Sequence, residues 1–293
     1  MVKLRERLRA TYYDYFKPIL MNKKAFLGFI LLACFGLMAT IGPIVVPLDL
    51  TTKWAERLEP PSLEHPLGTD YYGCDIFQQI VHGSRDVLLI GSLAALYGTL
   101  IAIAMGIASG YLGGKVDAAL MGVTDIFLTI PSLPVMMIMA ACFRVTDPFS
   151  FSAIIALWMW AGLARSVRAQ VRSVRSRDFI EAAKVLNLGT PHIIFKEILP
   201  NVLPYIAINF VRMMKDAITA SVGVMFLGLA PFSKVHWGIM LQMAMSMTGV
   251  AYTPWGLHYV LAPLLSIMLL EFGAVLFANG VEEIVNPRLK GYE

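Results

Sequence analysis

The placement of charge constrains this chain more than any other feature. Six stretches contain no Asp, Glu, Lys or Arg: 25–48 (24 residues), 87–114 (28), 126–143 (18), 148–164 (17), 217–233 (17) and 235–270 (36). A helix that crosses a bilayer needs about 20 mostly apolar residues. Five of the runs reach or approach that length, and the sixth holds a span plus a loop. Charged residues make up 15% of the 293-residue chain, against about 25% in a soluble domain. Too few remain to cover a water-facing surface. This pattern excludes a soluble enzyme, a disordered chain and a nucleic-acid binder, and the small net charge of +4 belongs to membrane topology rather than to a basic surface.

The runs predict an all-α polytopic protein with six transmembrane helices, at roughly 25–47, 86–112, 118–143, 148–164, 202–229 and 256–279. The first run follows Lys23 and Lys24 as a signal peptide's would, but it is longer and lacks a small-residue cleavage site, so a retained helix is expected. Lys and Arg number seventeen in the tails and loops of one side (1–24, Lys115, 164–200, Arg288, Lys290) and five on the other. Cytoplasmic loops carry the excess of positive charge, so both termini are expected in the cytoplasm of a cell-membrane protein. The expected organisation is a tail at 1–24, a first span and outer loop at 25–85, a core at 86–280 and a tail at 281–293.

Two interruptions are too long to be simple connectors. The outer segment 48–85 holds Pro60, Pro61 and Pro66 and six acids against three bases; it is either a docking surface or a passive loop. In the inner segment 164–200, Arg165, Arg168, Arg172 and Arg175 share one helical face, as in a helix that extends into the cytoplasm beneath anionic membrane lipid. Asp178 with Glu181 resembles a capping box, Asn187-Leu188-Gly189 is a stop signal, Thr190-Pro191 suits a second start, and Leu199-Pro200 a second stop. Two short helices joined by a bend are expected there, with Ala182 and Ala183 small enough for close packing against a partner. Cys34, Cys74 and Cys142 are too few for a disulfide framework or a zinc site, though a Cys74–Cys142 bridge stays open.

Glu181-Ala182-Ala183 followed by Ile198-Leu199-Pro200 resembles the EAA loop of binding-protein-dependent ABC importer permeases, and specifically the dipeptide/oligopeptide/nickel group. His65-Pro66-Leu67-Gly68-Thr69-Asp70 with Gly73 and Asp75, the stretch from Asp125 to Pro131, Arg177-Asp178-Phe179-Ile180, Phe226-Leu227-Gly228-Leu229 and Asn286-Pro287-Arg288-Leu289 extend the likeness over about residues 20–290. The pattern is broken where Asn187 replaces the usual glycine, Cys74 and Gly122 replace arginines, and an acid common near Ser221 is missing.

The resemblance implies a type I ABC importer transmembrane domain. It implies a second homologous permease, two ATP-binding subunits that carry the ATP, and an extracellular or periplasmic substrate-binding protein. It places Asp178, Glu181, Ala182, Ala183, Asn187 and Gly189 at the ATPase. Independently, the chain has no G-x-x-x-x-G-K-[ST] loop, no H-E-x-x-H among its histidines and no G-x-S-x-G. No cofactor, metal site or catalytic residue is expected. Ionisable residues inside spans mark pathways because lipid exposure is costly; Arg212, Lys215 and Asp216 in the fifth span and Glu271 in the sixth are therefore candidates for the pathway or the permease–permease interface, unless they snorkel. Peptides or a similar small solute, oligosaccharide included, are the expected cargo, and Trp158, Trp160, Trp237 and Trp255 suit either sugar stacking or an interfacial belt. An ion-gradient-driven secondary transporter is the alternative, but it needs a repeated half with interrupted helices, and none is visible.

Overall fold

The computed structural model describes residues 17–143, 145–246 and 256–285. The charges of Lys3, Arg5, Arg7, Arg9, Arg288 and Lys290, the Asn286–Leu289 motif and Trp255 all lie outside the described residues. Within them the chain is helical, and the only β feature is an isolated bridge between Thr69 and Asp75. The principal helices are α1 (Lys23–Thr40), α2 (Ile76–Leu112), α3 (Gly114–Thr129), α4 (Ser132–Cys142), α5 (Pro148–Arg175), α6 (Asp178–Val185), α7 (Thr190–Phe226), α8 (Trp237–Ser246) and α9 (Leu257–Val285). Five helical segments are long and apolar enough to span a bilayer, or six when α3 and α4 count as one.

The third expected span is thus broken. α3 and α4 meet at 84°, with Ile130 extended and Pro131 at the entry to α4. Proline disfavours helical geometry in the residue before it, so Ile130-Pro131 turns the chain. Other spans outrun their apolar cores. α2 starts eleven residues before the apolar run, α5 continues through the arginines to Arg175, and α7 begins at Thr190.

The chain divides into two compact units, Met1–Arg85 with Met243–Glu293, and Asp86–Gln242. In the first, α1 packs along α9, and Glu283 near the end of α9 holds Lys24 Nζ at 2.8 Å and Asn22 Nδ2 at 2.9 Å. The second is built around Ala95, Ala102, Ala164, Val167 and Val171. A Cβ on Gly106 would stand 2.7 Å from Val167, and one on Gly110 2.9 Å from the Arg168 carbonyl. This small-xxx-small pair lets α2 and α5 approach closely, which is how helices associate in lipid where the hydrophobic effect between them is weak.

Candidate functional site

The segment after α5 is rooted in the interior. Ile180 and Ala183 of α6, with Ile193 and Ile198 of α7, are buried in the same core as Val171 and Val174. The expected capping box is absent: Arg177 occupies the N-cap without a side-chain bond, and Asp178 and Glu181 lie within the first turn, where acids suit the positive end of the helix dipole. α6 ends as expected. Asn187 has φ +54°, its N–H donates to Lys184 O, and Leu188 N–H donates to Ala183 O at 3.0 Å. This is the Schellman closure, so Asn187 serves in place of the usual glycine. Gly189 is not left-handed (φ −61°) and is itself the N-cap of the next helix, rather than Thr190.

Pro200 does not stop that helix. Residues Ile193–Ile198 form a π-helical stretch, and the chain continues as α-helix from Leu199 to Phe226. A proline lacks the N–H and crowds the carbonyl four residues back; a wider turn absorbs both, and Asn201 Nδ2 donates to Glu197 O at 2.7 Å. The two expected short helices are therefore one short helix and the leading turns of a long one. On their surface, Glu181, Ala182, Asn187 and Gly189 are exposed and Ala183 is not. Val185 is 86% exposed and Leu186 72%, with Phe179 and Phe195 also open to solvent.

The arginine face of α5 is paired, although Arg165 and Arg172 stay exposed. Arg168 Nε and Nη2 each lie 2.5 Å from a carboxylate oxygen of Asp117, Arg172 reaches Asp117 at 4.0 Å, and Arg165 bonds Asp125. The guanidinium of Arg175 sits 5.7 Å from the centre of the Tyr111 ring. Asp117 and Asp125 are both on α3, so the arginines zip α5 to α3. Sequence reasoning missed this partner because it lies 40 or more residues away.

Among the expected pathway residues, Arg212, Lys215 and Asp216 come together on α7. Lys215 Nζ pairs with Asp216 Oδ1 at 2.6 Å. A cavity of about 260 Å³ is lined by Arg212, Asp216, Asn209 and Ser166, and another of about 440 Å³ by Lys215, Asp216, Thr219 and Ser132. Asp216 and Met159 border both. Glu271, half-buried on α9, belongs to the other unit.

The 48–85 segment turns its motif inward. Asp70 is buried, and its carboxylate accepts from Tyr72 N at 2.8 Å, Cys74 N at 2.9 Å and Gln79 Nε2 at 2.8 Å. Thr69 Oγ1 accepts from Glu59 N at 2.8 Å and donates to Glu56 O. His65 Nδ1 lies 2.8 Å from Asp75 Oδ2, while Asp75 Oδ1 accepts from Gln78 N in the first turn of α2. Gly73 has φ +78°, and a Cβ there would stand 2.0 Å from Lys53 O. At the exposed margin, the Thr51 hydroxyl and N–H, together with Lys53, hold the Asp49 carboxyl down to about 2. The bridge considered for Cys74 and Cys142 is not formed, and the buried Cys74 Sγ donates to Thr51 O at 3.6 Å.

Of the tryptophans considered for sugar stacking, the three described ones are packed into the protein. Trp160 and Trp237 are buried, and Trp158 is packed against Phe127 with its Nε1 on Met139 Sδ. His236, before α8, is wholly buried; its Nδ1 accepts from Gly238 N and its Nε2 has no partner among the described residues. Burial pushes its pKa down to about 3, which keeps the ring neutral.

Residues 99–291 match the family model described as binding-protein-dependent transport system inner membrane component. The chain is 31% identical over 273 residues to the oligopeptide transport system permease protein OppC of Bacillus subtilis strain 168, covering 92% of this chain and 87% of the relative. It is 30% identical over 283 residues to the dipeptide transport system permease protein DppC of the same organism, covering 94% and 86%. To the probable D,D-dipeptide transport system permease protein DdpC of Escherichia coli K12 it is 32% identical over 247 residues, covering 83% and 79%.

Proposed function

The chain belongs to the binding-protein-dependent transport system inner membrane components, and from that premise we propose that it forms half of the translocation pathway of an ATP-driven peptide importer. A second, homologous permease supplies the other half, two separate subunits bind ATP, and a binding protein delivers the peptide from outside. Both termini and the 164–200 segment face the cytoplasm. The ATPases grip α6 and the bend behind it through Asp178, Glu181, Ala182, Asn187 and Gly189, while Ala183 roots the helix in the permease. Arg212, Lys215, Asp216 and Glu271 line the pathway or the permease–permease interface.

One observation carries the coupling role. Phe179, Val185 and Leu186 are exposed around Glu181 on a helix whose opposite side is buried among Val174, Ile193 and Ile198. An apolar patch left open by its own chain marks an interaction surface, and its rooted inner side transmits force to α5 and α7. Glu181→Lys should leave the permease pair in the membrane and remove the ATPases from the complex purified on a tagged permease. Undiminished ATPase recovery would overturn the docking role. Peptide uptake by vesicles that requires an ion gradient and no ATP would instead support a secondary transporter.

A further inference from the structure

The groove along α7 carries more chemistry than a passive wall needs. At 100° per residue, Arg212, Lys215 and Asp216 fall within an arc of about 100° on the helix. Arg212 and Asp216 border one cavity, Lys215 and Asp216 the other. Four residues of helix advance about 6 Å, and two extended residues reach at most about 7 Å. The rise from Arg212 to Asp216 thus matches the distance between the ends of a dipeptide. Small-molecule pockets run to about 300–1,000 Å³; the cavity of Arg212 and Asp216, about 260 Å³, lies just under that range, and the adjoining one of Lys215 and Asp216, about 440 Å³, within it.

We propose that this groove recognises the charged ends of a short peptide, with Asp216 taking the terminal ammonium and Arg212 the terminal carboxylate. The inference rests on the peptide-importer reading and adds the atoms that select the cargo. Lys215 pairs with Asp216 at 2.6 Å, which compensates a carboxylate that is costly to leave alone inside a membrane protein. An arriving ammonium takes over Asp216. The released Lys215, on its flexible stem, turns to the carboxylate beside the planar fork of Arg212, which suits two-point carboxylate binding. A zwitterion brings no net charge, so the exchange leaves the charge of the groove unchanged.

The walls fit a cargo whose side chains vary. Met159 borders both cavities, Met213 the smaller and Met136 the larger. Thioether side chains are flexible and polarisable, and adapt to differently shaped partners. The fixed elements are therefore the charges, which read what all peptides share, and the adaptable elements face what differs between them.

The test uses the purified complex of both permeases and both ATPases, without the binding protein, and radiolabelled dialanine as probe. Saturable binding is expected, with N-acetyl-dialanine and dialanine amide competing at least tenfold less well than dialanine. Asp216→Asn should remove the discrimination against the acetylated probe, Asp216→Glu should restore it, and Arg212→Gln should remove the discrimination against the amide. A wild-type complex that binds all three probes alike, or an Asp216→Asn complex that still discriminates, overturns the inference. So does absence of saturable binding in a complex that imports dialanine into vesicles when supplied with its binding protein. Failure of that import is the separate result that would overturn the peptide reading itself.

Discussion

The segments 48–85 and 176–200 both interrupt the apolar runs, and both carry motif residues, but they solve opposite problems. The first buries the polar groups of its motif: Asp70 satisfies three donors, Thr69 two backbone groups, and Asp75 ties His65 to the start of α2. The second buries only its inner side and leaves Phe179, Val185, Leu186 and Phe195 exposed. A buried, hydrogen-bonded motif is explained by the fold of its own segment. An exposed apolar crest on a firmly rooted helix is not explained by the fold of its own segment. Motif residues of the first kind should therefore report on stability, and those of the second on association.

The largest effect is expected at Asp70. Asp70→Ala strips the acceptor from two backbone N–H groups and from Gln79, and bonds to a carboxylate are worth about 1.5–3 kcal/mol each. A loss of about 3–5 kcal/mol is expected, read as a lower melting temperature of the purified protein; a melt unchanged from wild type would erase the contrast between the segments. Gly73→Ala follows, at about 2–4 kcal/mol, because the added methyl meets the Lys53 carbonyl and the left-handed backbone disfavours a Cβ.

Asn187 sharpens the comparison, since it is the residue of the 176–200 segment that acts by shape. Asn187→Ala should cost about 1 kcal/mol, the penalty for a Cβ-bearing residue without a helpful side chain in the left-handed region. Asn187→Gly should cost nothing measurable in the same thermal melt. Equal losses from both would mean that the side chain, and not the left-handed turn, is what matters at this position.

These contrasts also mark what was legible beforehand. The uncharged runs place the helices, and the tolerance of asparagine for positive φ foretells the turn at Asn187. The course of the chain past Pro200 was hidden, because nothing in Ile193–Ile198 announces that a π-helical stretch will absorb a proline. The bend at Ile130-Pro131 lay inside an apolar run whose length alone read as one straight span. Charge periodicity put the α5 arginines on one face without naming what covers it; Asp117 and Asp125 become their partners only once α3 folds back. The exposed residues of α6 follow the motif, but that Ala183 turns inward depends on Val174 and Ile193, which no local pattern places beside it.

The smallest effect on the fold is expected at the crest itself, and that smallness is its diagnostic value. Val185 and Leu186 make little contact with their own chain, so Val185→Ser with Leu186→Ser should change stability by no more than about 0.5 kcal/mol, as substitutions at exposed sites generally do. The same pair should lower the amount of ATPase recovered with the tagged permease severalfold, because the apolar area they would bury against a partner is gone, at about 25 cal/mol per Å² removed from water. A melt that falls as far as that of Asp70→Ala would place the crest in the fold of its own chain. A normal melt with full ATPase recovery would leave the crest without a partner and remove the distinction between the two segments.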